Sequence, residues 1–451
     1  MKKLLIALLV FLFVLAVLPV GISGWNTSAM AAIPAITQIA AGTSHSLVLL
    51  SDGSLYTWGE NWSGELGDGT STTRNTPAKI GTGYTAITAG SNHSLALKGN
   101  TLYAWGWNYY GQLGDGTNTD RKSPVLIGTG YTAIAAGFAH SLALKGSTLY
   151  AWGFNFNGQL GDRSNTNRKT PVKIGTGFTA IAADGSRSYA LKGNTLYAWG
   201  SNYNGILGDG TSINRNAPVN IGTGYTAVTA GGSHSLALKG NILYAWGENE
   251  WGQLGDGTNI NRNAPVYIGT GYTAIAAGSA HSLALKGNTL YAWGINSSGQ
   301  LGDGTNTYKG TPVQIGTGYT AIAAGAWHSL ALKGNDLYTW GSNQWCQLGD
   351  GTNTNRNKPT LVKISETLTN PTSVKLDKAT INIAVGKSIT IKAIVMPSSA
   401  NQQLTWSSDN KTVATVSSGG VVKGLKEGKA TITVKTVNGK TAKCVVTVKK
   451  K

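Results

Sequence analysis

Apolar and small residues in this chain come in short runs, each closed off by Gly, Asn or Pro. One stretch holds the full set: Thr85-Ala86-Ile87-Thr88-Ala89-Gly90, His93-Ser94-Leu95-Ala96-Leu97-Lys98, Thr101-Leu102-Tyr103-Ala104-Trp105 and, after a long polar loop, Pro124-Val125-Leu126-Ile127. Runs of this size, rich in small, β-branched or aromatic residues and bounded by turn formers, read as strands, four to a unit. Gly99-Asn100 between the second and third runs predicts a tight hairpin, because both residues tolerate the positive φ that such turns need. The third strand carries Leu102 and Ala104 on one side and Tyr103 and Trp105 on the other. Both faces are therefore apolar, as expected of a sheet covered on two sides. The first strand is mostly Ala, Gly and Thr, which suits a crowded position near a central axis. Proline opening the fourth run suits an edge strand, where a missing N–H costs no ladder bond.

The unit repeats without slippage. Trp-Gly pairs begin at Trp58, Trp105, Trp152, Trp199, Trp246, Trp293 and Trp340, each 47 residues after the last. A Leu-Gly-Asp turn keeps the same step, with Asp68, Asp115, Asp162, Asp209, Asp256, Asp303 and Asp350. So do Pro77, Pro124, Pro171, Pro218, Pro265, Pro312 and Pro359. Seven four-stranded sheets, each apolar on both faces, predict a closed β-propeller over residues 33–364. An open solenoid is the competing architecture, and neither terminal copy has the polar cap it would need.

Ala-Ala-Gly-x-x-His-Ser-Leu-x-Leu, at Ala40 to Leu49 and Ala276 to Leu285, occurs with Leu-Tyr-Ala-Trp-Gly-x-Asn and Gly-Gln-Leu-Gly-Asp-Gly. Together these resemble the repeat of the regulator of chromosome condensation family, and all seven copies take part. The resemblance implies a seven-bladed propeller. It does not carry over the nucleotide-exchange activity of the family's eukaryotic founder, which depends on loop insertions for which the strict period leaves no room.

The ends of the chain follow other patterns. Lys2-Lys3, the apolar run Leu4 to Leu18 and the small-residue site Ala29-Met30-Ala31 read as a signal peptide over residues 1–31. Extended through Val20 and Ile22, the run also approaches the ~18 residues of a membrane span, so contact with a membrane is expected only if this segment stays uncleaved. After Ile364 a polar linker, 365–371, leads to short alternating strands over 372–451: Ala379 to Ile383, Ser388 to Ala393, Leu404 to Trp406, Val413 to Val416, Ala430 to Val434 and Cys444 to Val448. Val385-Gly386-Lys387, Leu404-Thr405-Trp406-Ser407-Ser408, Val413-Ala414-Thr415-Val416 and Gly428-Lys429-Ala430-Thr431-Ile432 resemble the bacterial immunoglobulin-like domain of group 2. The resemblance implies a small β-sandwich with Trp406 in its core, on an exported bacterial protein. The fold class expected for the chain is all-β.

Charge sharpens the division. The net charge is +18, and residues 363–451 hold 15 Lys against 4 acidic residues. The lysines are spread along strands and not interleaved with aromatics, which argues against nucleic acid and leaves an acidic envelope polymer as a partner for the second module. Two cysteines, Cys346 and Cys444, give no disulfide framework and no metal set.

The histidines His45, His93, His140, His234, His281 and His328 share one repeat position, where the fourth copy has Arg187. No second ligand stands at metal spacing, so a hydrogen-bonding role in each unit is expected, with no metal and no cofactor. The oxygen-rich Leu-Gly-Asp-Gly-Thr loop lacks the carboxylate density of a calcium loop, and its Asp is expected to cap its own turn. The periodic Arg or Lys near it is expected to pair with that Asp. No catalytic constellation stands out.

Specificity is expected where the copies differ. One variable window follows Trp-Gly and holds Trp62, Trp107, Tyr109, Tyr110, Phe154, Phe156, Tyr203, Trp251 and Trp345. The other precedes the histidine and holds Phe138 and Trp327. In an antiparallel four-stranded blade both windows leave from one end, so these aromatics should share one face of the disc. Large exposed aromatics favour binding, here of a protein or glycan ligand at or outside the cell surface, with the second module as spacer or tether. A secreted inhibitor that caps an enzyme is the alternative function, and an enzyme with a site in the central channel is the least favoured. In the fourth copy Arg163, Asp184, Arg187 and Tyr189 depart from the pattern, as a charged notch or as drift of the repeat.

Overall fold

A computed structural model describes residues 34–364, 371–396 and 404–450. The expected signal peptide and all of the linker but Pro371 lie outside the described residues.

Seven four-stranded antiparallel sheets follow one another along the chain, each meandering from its first strand to its fourth. Blade two is typical, with strands Ala86–Ala89, His93–Lys98, Thr101–Gly106 and Arg121–Thr129. Its hairpin forms as the sequence predicts: Lys98 faces Thr101 across the two-residue turn, and Gly99 has φ +56°. The fourth strand departs from expectation. It begins at Arg121, three residues before Pro124, so the proline lies inside the outermost strand and not at its start. The ladder to the third strand skips a register between Ala104 and Gly106, and the arginine at the strand's head is pinned to the loop aspartate.

The two apolar faces of each sheet are buried against the neighbouring blades. Leu95, Leu102, Ala104 and Leu113 of blade two pack on Ala143 and Trp152 of blade three. On the other side Trp105 packs with Leu47, Leu49 and Leu55 of blade one. All seven Trp-Gly tryptophans are fully buried in such inter-blade layers.

Among the described residues, ring closure uses no exchanged strand. Blade one is built from 36–81 and blade seven from 319–362, each in chain order. Val48, Leu50, Tyr56 and Trp58 of blade one meet Leu330, Leu332, Leu337 and Val362 of blade seven in the same kind of layer as elsewhere. Trp58 Nε1 donates to the Gln347 carbonyl at 2.9 Å, as Trp105 Nε1 does to Glu65 at 2.8 Å. The first strands line a central channel of about 720 Å³, as their small residues predict.

Residues 373–449 form three small sheets: a four-stranded one (Thr380–Ala384, Thr441–Lys449, Gly428–Thr436, Leu404–Ser408), a three-stranded one and a two-stranded one. Two strands, Ser373–Leu376 and Val421–Gly424, were not expected, and the expected run 388–393 divides into Ser388–Thr390 and Ala393–Met396. Trp406 is half-buried and not fully enclosed: it bridges the cluster of Ile381, Val413 and Val446 and a smaller one of Val374, Val395 and Val434.

Candidate binding face

Each inter-blade junction carries one hydrogen-bond relay. Ser141 Oγ donates to the Gln112 carbonyl at 2.8 Å and also lies 3.0 Å from His93 Nε2. A hydroxyl has one proton, so the histidine must be the donor in the second bond, which fixes the Nε2–H tautomer. The same geometry links His45 to Ser94, His140 to Ser188, His234 to Ser282, His281 to Ser329 and His328 to Ser46. Burial pulls these imidazoles far down, to about 4 in His45 and about 3 in the other five. They are neutral structural donors.

Blade four makes the junction differently. The guanidinium of Arg187 crosses to blade five, giving Nη1 to the Gly232 carbonyl at 3.1 Å and Nη2 to the His234 carbonyl at 2.6 Å. Tyr189 replaces a leucine, and its hydroxyl reaches Ser235 Oγ at 2.8 Å and the Ile206 carbonyl. The Arg-Tyr combination thus rebuilds the contact that histidine makes elsewhere.

The long loop that carries the first variable window is fastened from inside. Asn108, buried between the exposed or half-exposed Trp107 and Tyr109, donates its amide to Asp115 Oδ1 and to the Thr117 and Thr119 carbonyls, and accepts from Leu113 N. Asp115 in turn accepts from Thr117 N–H and O–H, and from Arg121 at 2.7–2.8 Å. Burial pushes this carboxyl up, but the threonine and arginine bonds outweigh it and hold it below the usual range. All seven copies keep the ion pair, at 2.6–2.8 Å with arginine and 3.6 Å for Lys309 with Asp303. The aspartates are turn caps with their oxygens engaged, as expected. The buried Asn was the residue that sequence reasoning passed over; its signal was constancy between two varying neighbours.

The two variable windows do lie together. Trp107 N donates to Asn92 O, Phe154 N to Ala139 O and Ser342 N to Trp327 O, so the residue after Trp-Gly sits beside the residue before the histidine. Asn118 and Asn165 hold the Tyr109 and Phe156 carbonyls from the far side of the loop, both at 2.7 Å.

Six of the expected site residues form one aromatic ridge across blades two and three. Phe138 lies 6.1 Å from Trp107, Trp107 5.5 Å from Tyr110, Tyr109 4.9 Å from Tyr110, Tyr110 4.6 Å from Phe154, and Phe154 6.4 Å from Phe156. Tyr109 and Phe156 remain 64% and 73% exposed at its outer side. The other five expected residues are not in the ridge. Trp62 and Trp345 stack edge to face at 4.6 Å across the blade one–seven junction. Tyr203, 75% exposed, lines a groove of about 420 Å³ with Phe138, Asn157 and Glu248. Trp327 reaches the channel mouth. Trp251 pairs with Tyr308, an exposed aromatic outside both windows that sequence reasoning missed.

The profile of the RCC1-like domain matches residues 26–317 and, in a second overlapping placement, 134–411. The chain belongs to the RCC1-like domain family. This RCC1-like chain superimposes on Prp20p from Saccharomyces cerevisiae with a TM-score of 0.65 and 24% identity, over 71% of this chain and 89% of that one. That structure was described together with the binding of Prp20p to Gsp1p and histones. Human WBSCR16 matches with a TM-score of 0.60 and 22% identity, over 66% of this chain and 87% of the other. At these identities the likeness establishes the fold. A separate local similarity, 47% identity over 78 residues, links the chain to the kappa-carrageenase of Pseudoalteromonas carrageenovora; it covers 17% of this chain, which spans only 20% of that enzyme's length.

Proposed function

We propose that this RCC1-like propeller is a non-catalytic binding protein that engages a protein partner through its aromatic loop face. The observation that carries the reading is the ridge itself. Phe138, Trp107, Tyr109, Tyr110, Phe154 and Phe156 make one continuous, partly exposed aromatic surface on loops held rigid by buried Asn and Asp. Rigid aromatics with little entropy left to lose are what interface hot spots are made of. The fold neighbour Prp20p is described as binding proteins, which favours a protein over a glycan. The repeat histidines are neutral and engaged with serine, and the repeat aspartates with Thr, Asn and Arg, so neither set supplies a free acid or base.

In this reading the chain is exported and works at the bacterial surface or outside it. The signal-peptide pattern in residues 1–31 supports this. The C-terminal module serves as an immunoglobulin-like spacer or tether. Lys429, Lys435, Lys443 and Lys449 lie exposed on a sheet face shared with Thr431, Thr433, Thr441 and Thr447, suited to an acidic envelope polymer. The test is capture from the host's surface fraction, followed by purification of the captured protein and measurement of its affinity. A Trp107→Ala/Tyr110→Ala/Phe154→Ala variant is expected to bind it at least about a hundredfold more weakly. Equal binding would refute the ridge as the site. A glycan-array hit lost in the same variant would replace the protein partner by a glycan.

A further inference from the structure

Asp184 stands where six blades have glycine: Gly42, Gly90, Gly137, Gly231, Gly278 and Gly325. In those blades the histidine ring lies against the glycine, so an added Cβ would overlap His Cε1, as at Gly137 with His140, and in five of the six it would also overlap the carbonyl oxygen of the matching glycine in the next blade, as at Gly90 with Gly137. Blade four has no such ring, because Arg187 sends its guanidinium across to blade five. The change from His to Arg thus removes one of the two obstructions to a side chain at 184, and the other, the Gly231 carbonyl of blade five, is held by Arg187 Nη2. The two departures from the repeat form a linked pair, and their joint product is a carboxylate in the central channel.

That carboxylate is the one charged side chain among the described residues lining the channel, whose other walls are mainly Ala, Ile, Gly, Ser and Thr. Asp184 Oδ1 accepts from Gly185 N at 2.6 Å, and among the described residues no hydrogen bond reaches Oδ2. Burial inside the ring pushes the acid up to about 6, partly offset by the charge of Arg187, so it is still an anion at neutral pH. Its position ties it to the ridge. Phe138 N donates to the Gly185 carbonyl at 2.8 Å, which sets the innermost ridge aromatic next to Asp184 at the channel mouth. Glu248 adds a second carboxylate in the adjoining groove, which Phe138 also lines.

We infer that the channel mouth receives an arginine or lysine side chain of the protein partner, with Asp184 as its counter-ion and Phe138 as an aromatic wall. A long aliphatic stem fits the small-residue channel, its charged end meets a carboxylate with a free oxygen, and an aromatic face attracts the same cation. This rests on the proposed docking of a protein on the ridge and specifies the chemistry at its inner end.

The test titrates a blocked Ala-Arg-Ala peptide and its uncharged citrulline counterpart into the full chain, followed by calorimetry. Millimolar binding of the arginine peptide is expected, about tenfold tighter than citrulline and weakened about tenfold by Asp184→Gly, which restores the residue of the other blades. Asp184→Asn should weaken it similarly while keeping the side chain's shape. No binding of the arginine peptide, equal binding of citrulline, or unchanged binding in both variants would overturn the inference. In those cases loss of the captured partner in the ridge variant would leave the docking proposal standing. If the ridge variant still holds that partner, the docking proposal falls on its own.

Discussion

At the scale of single residues, several side chains contribute to stability with a sign set by their burial or backbone conformation. The six histidines titrate near 6.5 when unfolded but only near 3 to 4 when folded, so the unfolded chain binds more protons in between. Their contribution is complete above about pH 6.5 and is lost as pH falls toward the folded values, at about 1.4 kcal/mol per histidine per unit. Urea titrations are therefore expected to show a steep loss of stability between about pH 6.5 and 4.5, above the range where the aspartate ion pairs titrate. Glu65 runs the other way. It occupies the position of the buried Gln112 and Gln159, keeps the glutamine's acceptor role toward Ser63 N, and is pushed up to about 7 by burial. Its folded pKa is raised, so stability present below about 4.5 is lost as pH rises through 7. Glu65→Gln should stabilise by up to about 3 kcal/mol at about pH 8 and change little at about pH 4. Arg163 and Cys346 hold left-handed backbone, φ +64° and +62°, at positions where the other copies have glycine. Arg163→Gly and Cys346→Gly should each raise stability by about 1 kcal/mol in thermal melts.

At the scale of the element, the loop after the third strand is a scaffold that hides its anchors and displays its aromatics. Asn108 and Asp115 hold it from beneath, and Trp107, Tyr109 and Tyr110 stand on top. Asp115→Ala should cost about 1–2 kcal/mol, because it removes the acceptor that caps Thr117 and pairs with Arg121 while the Asn108 amide keeps the Thr117 and Thr119 carbonyls, whereas Tyr109→Ala should cost under about 1. Denaturation of both variants distinguishes anchor from display. Much of this was legible in the sequence. Four strands, the hairpin at Gly99-Asn100 and the shared face of the two windows followed from run length, turn chemistry and antiparallel geometry. The start of the fourth strand was not, since Pro124 marks a residue without a ladder bond and says nothing of Arg121 ahead of it. Nor was the ridge. Eleven aromatics looked equivalent along the chain, and only the spacing of neighbouring loops joins six of them and leaves Trp62, Trp345, Tyr203, Trp251 and Trp327 apart.

At the scale of the molecule, the ring is a cycle of near-identical junctions, and its closure between blades seven and one repeats the tryptophan, serine and histidine bonds of the rest. An uninterrupted chain across any one junction should then be dispensable. A permutant opened in the link after Thr176, with the old ends of the propeller joined, is expected to melt cooperatively within a few degrees of the parent. Against this uniform frame the differences stand out: an aromatic ridge on blades two and three, and a coupled change in blade four that sets Asp184 beside its inner end. The claim that recognition resides there is tested most directly by the affinity of the purified partner for two variants of the full chain. One is Trp107→Ala/Tyr110→Ala/Phe154→Ala, and the other is Trp62→Ala/Trp345→Ala at the blade seven–one junction of the same face. The account predicts about a hundredfold loss in the first and less than about threefold in the second; equal losses in both, or loss in the second alone, would contradict it.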